Sequence, residues 1–247
     1  DLIFELANRI AYRKGKFGNL MAEGVAEASR RIGKGSEAIA PHVKGKAYLQ
    51  HDPRIQALIW SLSILTNPRG GDWNRCHNSY ELSFIPSKRD TLPQFIGMSC
   101  MDAYAEAMEK IDMPRELKKQ IFGDPPVVDE AWVRRTEGKV AFTIFSENSM
   151  AVINSLVTCM YSAGTHWFLV GTGPTMWAEV LQEITGWNVT ADELMKVGER
   201  VFNLQRHFNH RLLGWDIKDD VWAAKRAYQP AESGVFKGKP IPWDEAL

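Results

Sequence analysis

The chain has 247 residues, 45% of them hydrophobic and 24% charged, a make-up able to bury one large globular core or two modest ones. Lysine plus arginine (30) balances aspartate plus glutamate (30), which leaves no electrostatic case for nucleic acid or an anionic membrane. No apolar run reaches the roughly 20 residues of a membrane span, and three cysteines, an odd number, exclude a disulfide framework and fit a reducing cytoplasm.

In chain order, Leu2, Leu6 and Ile10 recur four residues apart and predict a helix that stops at Gly15 and Gly18. The chain opens directly in this helical pattern and without methionine, as a piece of something larger would. A second helix is predicted through Leu20, Val25, Ala28 and Ile32, closed by Gly33-Lys34-Gly35. The periodicity breaks in APHVKGKAYLQHDPR, and a domain boundary is placed there, between residues 45 and 46. RIQALIWSLSIL resumes a helix that ends before Pro68, and MDAYAEAMEKI predicts a charged helix ahead of a GDPPVVDE loop. Phe142, Phe145, Ser149, Val152, Ile153 and Leu156 then line one helical face. The last helix is the best punctuated: Thr190 and Glu193 form a capping box before Leu194, Val197, Val201, Leu204 and Phe208. Strand signals are sparse, so the fold class is mainly α.

Few stretches carry chemistry on spacing alone. In TNPRGGDWNR, Gly70 and Gly71 permit close backbone approach, and Arg69 and Arg75 could grip a phosphate or polar heterocycle; a polar turn is the plainer reading. The Lys-Ser/Thr end of a P-loop is missing. His207 and His210, three apart on a helix, suit a metal pair but have no third ligand at a sensible spacing. His166 reads as a buried imidazole with nothing adjacent to activate it, and Asp219-Asp220 as a hydrated loop. Cys159 on its own reads as a small buried hydrophobe.

Four blocks change these readings together. GNLMAEGVAEASRRIGKGSE, TNPRGGD, ENSMAVINSLVTC and TADELMKVGERVFNLQRHFNHRLLGWDIKDD occur in that order along most of the chain. Their order and wording resemble the tungsten-containing aldehyde ferredoxin oxidoreductase family. The resemblance implies the mainly helical domains of that family without its N-terminal sheet domain. Residues 1–45 would end the middle helical domain, and residues 46–247 would form the C-terminal one, with an insertion at about 76–133.

The same resemblance implies a tungsten (or molybdenum) bis-pterin and a 4Fe–4S cluster as cofactors. The family's DSLGLC motif falls on Asn154 to Cys159. That makes Cys159 the one cluster ligand in this chain, the other three belonging to a CxxCxxxC group upstream, and soft thiolate suits iron–sulfur. Arg69, Gly70, Trp73, Arg75, Asn154 and Thr158 take the cofactor-binding positions and are expected to share one cavity. Three departures stand out. Asn154 replaces the motif's aspartate and loses its charge, and Val157-Thr158 replaces its glycine-leucine. Trp73 replaces a histidine, so no proton carrier remains there and the catalytic acid or base is not identified. The implied reaction oxidises a small-molecule aldehyde to a carboxylic acid, with ferredoxin or another electron carrier as acceptor. Reduction of an aromatic acyl-CoA, or a cofactor-free helical scaffold, are the alternatives. The implied partners include the remainder of the same catalytic subunit, with a homo-oligomer left open.

Overall fold

The computed structural model describes residues 1–48, 52–54, 58–72, 96–160, 173–233 and 237–243. Among them the only strands are β1 (His42–Val43) and β2 (Lys46–Ala47), an antiparallel hairpin, and everything else of regular structure is helix. The mainly α expectation therefore holds.

The N-terminal third breaks differently from the periodicity. α1 (Leu2–Ala11) buries no side chain, and α2 (Gly15–Met21) begins at the glycine expected to end it. Gly18 lies inside α2 because a Cβ there would stand 2.2 Å from the Arg9 carbonyl oxygen, so the two helices can only meet at this residue. α3 (Val25–Ile32) is separate from α2. Gly24, with φ +84°, turns the chain between them where the sequence suggested one continuous helix.

The rest is organised around one buried helix. α4 (Leu58–Thr66) is apolar all round and buried from Leu58 to Leu65, as a core helix should be. It packs on α8 (Lys139–Ser155), which in turn packs along α10 (Ala191–Leu213). Gly198 of α10 permits that closeness, since a Cβ would lie 2.2 Å from the Asn148 carbonyl oxygen of α8. The helices α5 (Cys100–Lys110), α6 (Arg115–Phe122), α7 (Glu130–Arg134) and α9 (Pro174–Thr185) cover the flanks.

Three apolar cores result among the described residues. Ile59, Met108, Ile121, Phe122, Trp132, Phe142 and Phe145 make the first. Phe122 stacks on Trp132 at 5.4 Å and meets Phe142 edge-on at 5.2 Å. The second joins Val43 and Tyr48 of the hairpin region to α4 and to Trp222 and Trp243. The third joins Met150, Val152 and Ile153 to Trp177 and Leu194. A fully buried side chain of this size contributes about 1.5–3 kcal/mol.

The predicted α8 face is observed, with Phe142, Phe145, Ser149, Val152 and Ile153 all buried and Leu156 packed at the edge. The α10 capping box is present too: Thr190 Oγ1 accepts from the Glu193 amide at 3.2 Å, and Glu193 Oε2 accepts from the Thr190 amide at 2.8 Å. Its apolar stripe is only half used. Leu194 is buried, whereas Leu204 and Phe208 are exposed. Among the described residues no helix is long and apolar enough to cross a membrane.

Candidate functional site

The 66–72 loop leaves α4 and docks onto the hairpin. Asn67 is fully buried: its Oδ1 accepts from the Arg69 amide at 2.8 Å and its Nδ2 donates to the Asp72 carbonyl, closing a tight turn. Gly70 has φ +80°, and a Cβ on it would meet the Val43 carbonyl oxygen at 2.6 Å. A Cβ on Gly71 would meet the Lys46 oxygen at 2.4 Å, and its amide donates to Val43 O at 3.2 Å. Both glycines are thus required by contact with the chain's own hairpin. Arg69 Nη1 lies 3.0 Å from Asp72 Oδ2, which Lys46 Nζ also contacts at 3.0 Å, and the arginine remains about half exposed. Trp73 and Arg75 lie outside the described residues, as do Cys76 and His166.

The second group of predicted residues sits at the C-terminal end of α8. The Thr158 amide donates to Ile153 O at 3.2 Å and the Val157 amide to Asn154 O at 3.3 Å, the paired bonds of a Schellman cap. The Thr158 hydroxyl adds a long bond of 3.4 Å to the same Ile153 carbonyl. The left-handed position of that cap is Val157, at φ +57°, where glycine is the ordinary occupant and a β-branched side chain is strained. The resemblance places a glycine in the family's motif at this very position, and the cap geometry supplies the reason. Asn154, Thr158 and Cys159 are all exposed on this turn, so the thiol is not the buried hydrophobe that its apolar surroundings in sequence suggested.

The two groups lie at opposite ends of one helix pair. The loop touches the C-terminal part of α10, where Asn209 Nδ2 donates to the Pro68 carbonyl and Arg206 Nη1 donates to Thr66 O at 2.5 Å. The Cys159 turn follows the stretch of α8 that packs with Leu194, near the start of α10. At 1.5 Å rise per residue, Leu194 and Asn209 are about 22 Å apart along the helix. Arg69 and Gly70 on one side, and Asn154, Thr158 and Cys159 on the other, thus flank the α8–α10 pair.

Between them lies a polar cluster that sequence reasoning missed. Glu147, at the middle of α8, accepts from Thr66 Oγ1 and is 4% exposed. Burial pushes its carboxyl up from 4.5 to about 8, against the lowering effects of the Thr66 hydroxyl, Arg206 and Lys44. Asp220, read from sequence as part of a hydrated loop, is in fact buried and doubly paired: Lys44 Nζ lies 2.5 Å from Oδ1 and Arg206 Nη2 lies 2.8 Å from Oδ2. Lys44 also donates to Leu65 O at 2.5 Å, and desolvation lowers its pKa more than Asp220 raises it. The missed signal was the Asn-Pro after α4, whose chain reversal exposes the helix's last carbonyls and needs buried cations to satisfy them. The i,i+3 pair His207 and His210 is exposed, with His210 Nδ1 3.2 Å from Trp215 O, and among the described residues no three His, Cys, Asp or Glu side chains gather around a metal-sized space.

A family model described as aldehyde ferredoxin oxidoreductase, domains 2 and 3, matches residues 1–247, and the chain belongs to this family. It is 26% identical to the tungsten-containing aldehyde ferredoxin oxidoreductase of Pyrococcus horikoshii over 97% of this chain and 31% of that protein. The protein of the same name from Pyrococcus furiosus is 25% identical over 100% of this chain and 33% of its own length. That of Thermococcus kodakarensis gives the same three values. The chain thus spans about a third of the length of the curated relatives it matches.

Proposed function

We propose that this chain is the helical part of a tungstopterin, 4Fe–4S oxidoreductase, and that the whole enzyme oxidises an aldehyde to a carboxylic acid with ferredoxin as electron acceptor. One observation carries the reading: the amide of Asn154, the hydroxyl of Thr158 and the thiol of Cys159 stand together, exposed, on a single capped turn. The donor set fits the groups expected. A thiol suits iron, and a neutral amide and a hydroxyl both donate and accept, as a pterin edge requires.

When bound, the tungsten centre would supply two-electron oxidation and the cluster one-electron transfer. This chain's part is to hold and orient. Cys159 would give the cluster one thiolate, its backbone fixed by the Schellman bonds and by the core of α8, α9 and α10 beneath it. Asn154 and Thr158 would hydrogen-bond the pterin beside it. Arg69 would meet a second polar edge of the cofactor by leaving Asp72, which Lys46 would still neutralise. Trp73 and Arg75 are assigned to the same role by their place after Gly71. In this reading residues 1–45 close the middle helical domain and 46–247 form the C-terminal one, with about 76–133 inserted.

Replacing Cys159 by alanine in the full-length protein tests the proposal. Iron content is expected to fall and ferredoxin reduction to stop, while the fold persists because the replaced side chain is exposed. A variant with full iron loading would sink the assignment.

A further inference from the structure

A cavity of about 350 Å³ opens between α4, α8 and α10, lined by Leu62, Thr66, Thr143, Glu147, Phe202 and Arg206 among others. Its volume is within the roughly 300–1,000 Å³ of small-molecule sites. Its lining is part apolar, from Leu62, Val140, Ile144, Phe202 and Ile217, and part polar. Three features of the polar lining point in one direction.

The first is Arg206. Its Nη1 donates to Thr66 O and, at 3.4 Å, to Asp220 Oδ1, and its Nη2 donates to Asp220 Oδ2 at 2.8 Å. A guanidinium has five N–H donors. The end-on fork is therefore occupied by Asp220, while Nε–H and the neighbouring Nη2–H, the side-on edge, make no hydrogen bond among the described residues. That edge matches the two oxygens of a carboxylate. The second is Thr143, which is 4% exposed and whose Oγ1 has no hydrogen-bond partner among the described residues. Several other hydroxyls on these helices return to the carbonyl four residues back, as Ser63, Ser149 and Ser155 do. Thr143 and, further along α8, Ser146 do not, and a buried hydroxyl left so is costly. The third is Glu147, which uses one carboxyl oxygen on Thr66 and lines the same space.

We propose that this cavity binds a small monocarboxylate, its oxygens held by the side-on edge of Arg206, the Thr143 hydroxyl and the Glu147 carboxyl, and its hydrocarbon part laid on the apolar lining of Leu62 and Phe202. Glu147 takes part as the neutral acid, which its pKa of about 8 allows at neutral pH, and donates its proton to the ligand in a carboxyl–carboxylate hydrogen bond. The charged groups around Glu147 permit this. Lys44 of the hairpin and Arg206 of α10 are cations, Asp220 is paired with both, and Glu199 of α10 is exposed at the rim. Binding in this cavity needs neither the cofactor nor the proposed reaction.

Benzoate titrated into the full-length protein by calorimetry tests it, with neutral benzamide as the control. Benzoate is expected to bind once, benzamide at least tenfold more weakly. Above about pH 8, where Glu147 ionises in the empty cavity, benzoate affinity should fall by up to tenfold per pH unit. Glu147→Gln, whose amide can still donate, should bind benzoate without that pH dependence, and Arg206→Gln should bind at least tenfold more weakly. If Arg206→Gln does not fold, the Glu147→Gln pH profile decides alone, together with a shift of the Glu147 carboxylic-acid C=O stretch in infrared difference spectra. Absence of benzoate binding, equal affinity for benzamide, or an unchanged pH dependence in Glu147→Gln would each overturn the proposal; the last would place benzoate elsewhere on the protein.

Discussion

The middle and the end of α8 make an instructive pair. At its end Asn154, Thr158 and Cys159 are exposed, sit on a turn fixed by backbone hydrogen bonds, and direct their side chains away from the core. Further back along the helix the polar side chains do the opposite: Thr143 and Glu147 are buried, and Glu147 is locked into a network with Thr66, Lys44, Arg206 and Asp220. One helix thus carries a turn whose chemistry is directed outward and a cluster whose chemistry is directed inward. The energetic consequence differs accordingly. A side chain in water can be replaced at little cost to the fold, whereas each member of the inner cluster neutralises or hydrogen-bonds another.

The two regions are expected to differ most at Asp220. Replacing it by alanine leaves the Lys44 ammonium and the Arg206 guanidinium facing each other in a buried space. Removal of one partner of a buried pair typically costs about 3–5 kcal/mol. Asp220→Ala is expected to lose that much in chemical denaturation, against less than about 0.5 kcal/mol for Cys159→Ala at the exposed turn. Comparable losses in the two variants would show that the turn is structural after all.

These two regions were also unequally legible in the sequence. The main helices could be read from periodicity because burying an apolar stripe is a local property of the chain, and the α10 capping box because its two residues are three apart. The α1–α3 segment was misread for a related reason. Gly15, Gly18 and Gly24 look alike in sequence, yet one starts a helix, one lets two helices cross and one separates two helices. The Cys159 turn was recognisable because its residues are contiguous and resemble a motif. The inner cluster was not, since Lys44, Thr66, Glu147, Arg206 and Asp220 come from widely separated stretches and are joined only by the packing of α4, α8 and α10. Asp220 shows the difficulty best: an Asp-Asp pair after a helix has every appearance of solvated loop until two cations are placed over one of its members.

Glu147 gives an effect that depends on pH. Its carboxyl titrates near 4.5 when unfolded and near 8 when folded, so between those values the folded state holds a proton that the unfolded state has lost. Stability is then greatest below about pH 4.5 with respect to this group, and it falls as pH rises to about 8, by at most about 1.4 kcal/mol per pH unit. Glu147→Gln removes this slope. Unfolding free energies of the two proteins are expected to be close at about pH 5 and to differ by a few kcal/mol in favour of the variant at about pH 9. Parallel pH profiles would mean that the carboxyl is ionised in the fold, and the inward cluster would then be an ordinary ion-pair network.

The smallest expected effect belongs to the outer turn and has the opposite sign from most substitutions. Val157 occupies the left-handed position of the α8 cap at φ +57° and is 90% exposed. Its side chain therefore contributes strain with little packing. Left-handed backbone costs an ordinary L-residue about 1–2 kcal/mol, while glycine returns part of that gain, about 0.5–1 kcal/mol, through the greater freedom of its unfolded chain. Val157→Gly is accordingly expected to stabilise the protein by about 0.5–1 kcal/mol, measurable as a rise in melting temperature of a few degrees or less. The exposed valine lies apart from the buried cluster, so the Glu147 pH dependence should be unchanged in the variant. A destabilised Val157→Gly protein would show that the valine is held by a contact in its natural setting, and that the outward-facing turn is covered there by an apolar surface.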